Sequence, residues 1–236
     1  MSSAISEPDG PGEEQAAPLP ADCLGPTRFI DCGHPSIRAQ VEASGAGHLP
    51  PRERAVRLFD FVRDRIAYEF KAKLKEKEYI ASNVLEAKMG FCVQKAVLLC
   101  ALARAAEIPA ALVLTNLRDR TLPEKLREGM RTDVLYYHGL AALYVDGRWV
   151  RADASLSAEL AQRKGYRLVT FDGRHDALLA STTIEGAPHA EYIAFHGIFA
   201  DLPFAPMIKA FEENYCGGDP EILEMVGVLP PAAPRS

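Results

Sequence analysis

Cys92 stands between a tight Met89-Gly90-Phe91 turn and an apolar run, Val93 to Ala106, that reads as a helix starting at or beside the thiol. A helix start presents free N–H groups and the positive end of the helix dipole, which favour a thiolate over a thiol. Further along the chain come His138 and Asp153. A cysteine nucleophile, a histidine base and an acid that orients the histidine are the parts that thiol-based acyl transfer requires.

The geometry of the last two follows from a hairpin. Val134–Val145 and Arg148–Ser155 flank Asp146-Gly147, a dipeptide suited to a two-residue type I′ turn. Pairing Val145 with Arg148 and counting back places Leu140 opposite Asp153 and His138 opposite Ser155. Side chains two apart share a face, so His138 and Asp153 lie diagonally on one side of the sheet. The carboxylate would hold the imidazole in one tautomer and stabilise the imidazolium.

Both regions carry a resemblance. Ser82-Asn83-Val84-Leu85 through Gly90-Phe91-Cys92, followed by Ala96, Leu98-Leu99, Ala101-Leu102, Arg104-Ala105 and Ile108-Pro109-Ala110, resembles the nucleophile region of the transglutaminase-like superfamily. His138, Tyr144-Val145-Asp146-Gly147-Arg148-Trp149-Val150 and Asp153 resemble its histidine strand, turn and aspartate strand, and the likeness covers roughly residues 52–155. It implies a papain-like α+β fold of the stand-alone bacterial type, with the cysteine at the N-terminus of a central helix. That helix would pack on an antiparallel sheet carrying histidine and aspartate. It also implies a peptidase, deamidase, cross-linking or amide-forming activity, with Cys92, His138 and Asp153 catalytic. Two departures stand out. Gly139-Leu140 follow the histidine where family members commonly carry an aromatic residue two positions on. The oxyanion partner upstream of the cysteine is also not evident; besides the Cys92 N–H, Asn83, Lys88 and Tyr79 are the candidates.

The elements that must position these residues can be read in outline. Residues 1–25, rich in Pro, Ala, Glu and Ser, are expected to be a disordered tail. Residues 26–216 are expected to form the domain, with its motif core at 52–155, and 217–236 a C-terminal helix and tail. After Pro50-Pro51, Arg52–Ile66 sets Ala55, Leu58, Phe59, Val62 and Ile66 on one helical face. Ser82 is expected to cap a short helix running to Lys88. Ala111–Thr115 and Arg167–Phe171 read as strands. Arg118–Thr132 is a polar connection with a helical turn at Glu124–Glu128. The stretch Asp201–Gly227 reads as helical, with Met207, Ile208, Phe211 and Tyr215 on its packed face and Pro206 suited to start it.

Composition narrows the partners. The 236 residues are 48% hydrophobic and 25% charged, enough for one sizeable core. A net charge of −5 and a pI near 5.7, with no basic stripe, argue against nucleic acid. The most basic run, Lys71–Lys77, is interrupted by Glu76 and reads as a solvated face. No apolar stretch reaches the ~20 residues of a membrane span, and Met1–Pro20 lacks the pattern of a signal peptide, so a cytoplasmic protein with no membrane partner is expected. Five cysteines without a CxxC pair suit a reducing compartment. Cys100 reads as a buried hydrophobe, and Cys23, Cys32 and Cys216 as surface or loop thiols. Cys32 and His34, with Cys23 nearby, lack the second well-spaced pair of a zinc site, so no metal or cofactor is expected. His175, His189 and His196 receive no role.

The expected partner is a peptide, protein, or amide or thioester substrate. Cys92 would form a thioester that passes to water, as in a peptidase, amidase or deamidase, or to an amine acceptor, including transfer from carrier-bound acyl groups. Hydrolysis is favoured because it needs no second substrate. A non-catalytic binding module on the same fold is the alternative from another class.

Overall fold

A computed structural model of the chain describes residues 17–69 and 75–215. The expected tail up to residue 16, Lys71 to Leu74, Cys216 and the expected C-terminal helix at 217–236 lie outside the described residues. In chain order the elements are α1 (Pro35–Ala43), α2 (Pro51–Arg65), β1 (Ala67–Tyr68), α3 (Ala81–Ala87), β2 (Met89–Gly90), α4 (Cys92–Ala105), β3 (Ala110–Asp119), α5 (Glu124–Met130), β4 (Val134–Val145), β5 (Arg148–Ala152), α6 (Ala158–Lys164), β6 (Ala190–Phe199) and α7 (Phe204–Tyr215). The architecture is α+β: helix α4 packs on a four-stranded antiparallel sheet of order β5-β4-β3-β6.

Helix α4 is buried from Cys92 to Arg104, which is the fate of a helix apolar on every side. Val97, Leu98, Leu99 and Leu102 have no exposed surface, and each such side chain stabilises the fold by about 1.5–3 kcal/mol relative to exposure. Helix α2 presents Ala55, Leu58, Phe59 and Val62 to this core, with Ile66 just beyond its end. The two charged side chains of α4 end on carbonyls. Arg104 donates to Ala110 O (2.9 Å), Gly25 O (2.8 Å) and Ala200 O (2.6 Å), and Lys95 is treated below.

The β4–β5 hairpin turns at Asp146 (φ 51°) and Gly147 (φ 82°), as a type I′ turn requires. Its ladder runs from Val145–Arg148 to Ala141–Ala152 in the expected register. Beyond Ala152 the chain leaves β4, and the Asp153 amide donates to Ala177 O (2.8 Å).

Several expectations are corrected. Ser82 is not the cap of α3. It is buried inside the helix, and its amide donates to Asp31 Oδ1 (3.0 Å), so a carboxylate from an earlier loop satisfies the helix start. Arg167–Phe171 is not a strand: Val169 and Phe171 are buried against α2, and Val169 O accepts from Arg63 Nη1 (3.0 Å) rather than from a neighbouring strand. Cys23 and Cys32 are buried rather than surface thiols, packed where Pro20–Cys23 and Leu24 fold back onto the body. Helix α7 begins at Phe204, with Pro206 within its first turn.

One glycine sets the distance between sheet and helix. A Cβ on Gly139 would lie 2.7 Å from Val93 Cα and 3.2 Å from Val93 N. Strand β4 therefore meets α4 backbone to backbone, one residue after Cys92 and one after His138. Gly139→Ala must push the two apart. It is expected to destabilise the protein by about 1–3 kcal/mol, the usual cost of overpacking, as read from denaturant unfolding.

Candidate active site

The Cys92 turn is built by its own helix. The Gln94 side chain accepts from the Phe91 amide (3.1 Å) and donates to Glu78 O (2.6 Å), closing the start of α4 over the turn. Strand β1 runs parallel to β2, with Tyr68 paired to Gly90 two residues before Cys92. A cavity of about 380 Å³ borders this turn, lined by Met89 and Gln94 and by Glu69, Lys77, Glu78 and Glu86.

Cys92, His138 and Asp153 are buried together, at 5%, 2% and 0% exposure. His138 Nε2 lies 2.7 Å from Asp153 Oδ2. That oxygen also accepts from the Tyr192 hydroxyl (2.8 Å), while Oδ1 accepts from the Ser155 amide (3.0 Å) and hydroxyl (2.5 Å). A carboxylate has about four lone-pair sites, and all four are filled by donors. Asp153 is therefore ionised and acceptor-only, which requires His138 Nε2 to carry a proton. Burial pushes the Asp153 carboxyl up, but the His138 charge and the His138 and Ser155 hydrogen bonds outweigh it and hold the acid below its usual range.

The other ring nitrogen, His138 Nδ1, is buried without a formed hydrogen bond and is the atom left open for the thiol. Burial lowers the imidazole's proton affinity. The negative charges of Cys92 and Asp153, with the Asp153 hydrogen bond, more than reverse this and raise its pKa to about 10. Cys92 raises the ring's proton affinity mainly through its charge and to a smaller extent as a hydrogen-bond partner.

The approach to His138 is irregular. Tyr137 adopts φ 54°, a left-handed conformation that bulky residues seldom occupy. It is held there by Asn116 Oδ1, which accepts from the Tyr137 amide (3.2 Å), and by stacking on His196 at 4.3 Å. His196 Nε2 donates to the same Asn116 oxygen (2.7 Å). The β3–β4 register shifts between Thr115 and Leu117, so this bulge re-aims the strand just before His138.

Asn83 is turned to Lys77 O (2.7 Å), Lys88 forms the left-handed end of α3, and Tyr79 is buried between Phe91 and Phe204. Tyr68 and Tyr215 are aromatic hydroxyls within electrostatic reach of Cys92, and for Tyr68 burial, then the Cys92 charge, drives the pKa well above the ordinary phenol value. Sequence reasoning passed over Tyr68 because its strand is two residues long, and Tyr192 because β6 was not foreseen. His175 is exposed beside Asp172, and His189 is buried against the Tyr166 ring. His34 caps α1 through Ser36, and Cys32 Sγ donates to Leu24 O.

A thiol at the head of a buried helix, facing an imidazole held by a carboxylate on an antiparallel sheet, defines the papain-like class of site. Residues 39–154 match the sequence model of the Transglutaminase-like superfamily, and the chain belongs to that superfamily. No curated protein matches it. Among solved structures it is similar to a candidate cysteine protease from Cytophaga hutchinsonii, at 16% identity and a TM-score of 0.44, over 75% of this chain and 53% of the other. It is also similar to a candidate protease from Parabacteroides distasonis, at 15% identity and a TM-score of 0.36, over 51% of this chain and 23% of the other. The chain thus spans about half the length of the first of these. Among the described residues no helix is long and apolar enough to cross a membrane.

Removing the carboxylate's charge tests the electrostatics. In Asp153→Asn burial is opposed by Cys92 alone, without the acid's charge, so the His138 pKa is expected to fall below about 10. An NMR titration of the imidazole reads this directly, and an unmoved titration would contradict the account.

Proposed function

We propose that Cys92, His138 and Asp153 form a catalytic triad for thiol-based acyl transfer on an amide or peptide carbonyl, ending in hydrolysis. The observation that carries this reading is the filled carboxylate of Asp153. Its four donors leave His138 with a protonated Nε2 and an open Nδ1 beside the Cys92 thiol.

The chemistry follows from those atoms. Cys92 Sγ, its proton taken up by His138 Nδ1, attacks the carbonyl carbon, and the C–S bond forms as the carbonyl oxygen becomes an oxyanion. The Cys92 amide, in the first turn of α4 where N–H groups have no intrahelical acceptor, donates to that oxygen. Tyr68 supplies the second donor. Its raised pKa keeps the phenol protonated, and its pairing with Gly90 sets it beside the nucleophile turn. The imidazolium then gives its proton to the leaving amine as the C–N bond breaks. Water, deprotonated by His138, attacks the thioester, and the C–S bond breaks to release the acid and the thiol.

Water is the proposed acceptor because turnover then needs nothing beyond the acyl-enzyme. The test is a screen of peptides, amides and acyl thioesters, read by intact mass for an acyl adduct. The wild-type chain is expected to form an adduct that decays in buffer, and Cys92→Ala none. Equal turnover by Cys92→Ala would overturn the proposal, while decay that depends on added amine would assign the chain to transfer instead.

The oxyanion assignment has its own check. Tyr68→Phe is expected to lower kcat by about 10²-fold with little change in KM, the pattern of a donor lost only in the transition state. A change confined to KM would remove Tyr68 from that role.

A further inference from the structure

Lys95 is fully buried and lies three residues after Cys92 on α4, a spacing that puts both on one stripe of the helix. A lysine is almost never so buried without partners. Its Nζ sits among three backbone carbonyls: Ile66 O (2.8 Å), Ser155 O (2.8 Å) and Arg63 O (3.1 Å). An ammonium offers three N–H donors, one for each carbonyl, whereas a neutral amine would turn its lone pair on one of them.

The three carbonyls belong to the two walls of the site. Ser155 is the residue whose amide and hydroxyl hold Asp153 Oδ1. Arg63 and Ile66 form the end of α2, and Ile66 precedes Tyr68 by two residues. A single cation rooted on the nucleophile helix thus ties down the turn that carries the acid and the chain that leads to Tyr68.

We infer that Lys95 is a positioning residue of the active site, pinning the Asp153–Ser155 turn and the Ile66–Tyr68 segment at fixed places relative to Cys92. The inference rests on the acyl-transfer reading above and deepens it. The charges that face Lys95 are Asp153 from beyond β5 and Asp64 and Arg63 from α2. Burial lowers the lysine to about 7, with Arg63 adding to the fall and Asp153 and Asp64 opposing it. The pin therefore loses its proton in the neutral range, and above it one of the three carbonyls loses its donor.

The test compares the full-length chain with Lys95→Met and His138→Ala. Alkylation of Cys92 by iodoacetamide is timed from about pH 5 to about pH 10, with peptide mass spectrometry separating it from the other thiols. Lys95→Met is expected to unfold cooperatively yet label about tenfold more slowly or worse, the scale on which a misplaced catalytic group acts. Its pH profile is expected to move toward that of His138→Ala, which loss of mere packing would not cause. A folded Lys95→Met with the wild-type rate and profile overturns the inference alone. Identical labelling of wild type and His138→Ala overturns the thiol–imidazole reading, and the inference with it. If Lys95→Met does not fold, the wild type decides. The Lys95 side chain and the His138 ring are followed together by NMR through neutral pH. A step in the His138 ring resonances at the lysine's midpoint, separate from the ring's own titration, is expected, and a His138 ring indifferent to the lysine's titration overturns the inference.

Discussion

The carboxylate of Asp153 accepts four hydrogen bonds in a place with no access to water, and the sheet is arranged around that requirement. A buried carboxylate is costly unless every lone pair is met, and a missing donor to a charged group costs about 1.5–3 kcal/mol. The donors come from three separate segments: His138 on β4, Tyr192 on β6 and the Ser155 turn. None suffices alone, and no local sequence rule brings them together. The strand order β5-β4-β3-β6 does, because it lets the Tyr192 ring cross the face of β4 and meet both the carboxylate and, edge-on at 6.0 Å, the His138 ring. The Tyr192 hydroxyl is itself fixed, accepting from the Leu179 amide at 3.1 Å.

The contact of Gly139 with Val93 carries the same constraint to the helix. A histidine on a strand and a thiol on a helix meet only if the two backbones approach more closely than side chains ordinarily permit. The strand gives up its side chain at that point. The next residue, Leu140, packs with Val113 and Ala142 in a smaller apolar cluster, while Leu112, Leu114, Ala141 and Leu143 face the main core. This explains in physical terms the absence of an aromatic residue after the histidine: Leu140 helps close the layer on which Tyr192 rests. The unfavourable φ of Tyr137 belongs to the same adjustment, since the chain must bend just before His138 and Asn116 holds the bend.

What was legible in the sequence was local and periodic. Asp146-Gly147 named its turn, alternation then set the hairpin register, and a ladder anchored at Val145–Arg148 carries to Ala152. Helix α4 was legible from its apolar run and α2 from its stripe. The rest depended on tertiary partners. Strand β6 was invisible because its pairing with β3 is broken by two register shifts, with Gly197 at φ 130°, so no clean alternation survives. The shift at Asn116 likewise hid the second half of β3, expected to stop at Thr115 and found to reach Asp119. Val169 and Phe171 alternate like a strand but do so to pack on α2. Ser82 had the right residue type for a cap, yet Asp31, distant in sequence, supplies the acceptor. The Tyr68 and Tyr192 contacts are long-range, and spacing cannot announce them.

Helix α4 raises a further question, because a helix that is apolar all round offers several packing registers of similar quality. Sliding it by one turn, ~5.4 Å, would exchange one aliphatic side chain for another at little loss of buried area. Such a slide would carry Cys92 out of reach of His138. The two buried cations remove that freedom. Arg104 is held by carbonyls of residues 25, 110 and 200, and Lys95 by those of residues 63, 66 and 155. A slide of one turn would strand both charges among atoms that cannot accept them, at a cost of several kcal/mol per ion. Net stability is no reason to keep these charges, since buried ions often cost more than they return against apolar replacements. Such replacements at 95 and 104 would leave the thiol's place to side-chain packing, the Gln94 hydrogen bonds and the Gly139–Val93 contact, all of which act at the start of α4, with nothing polar fixing the register along the rest of the helix.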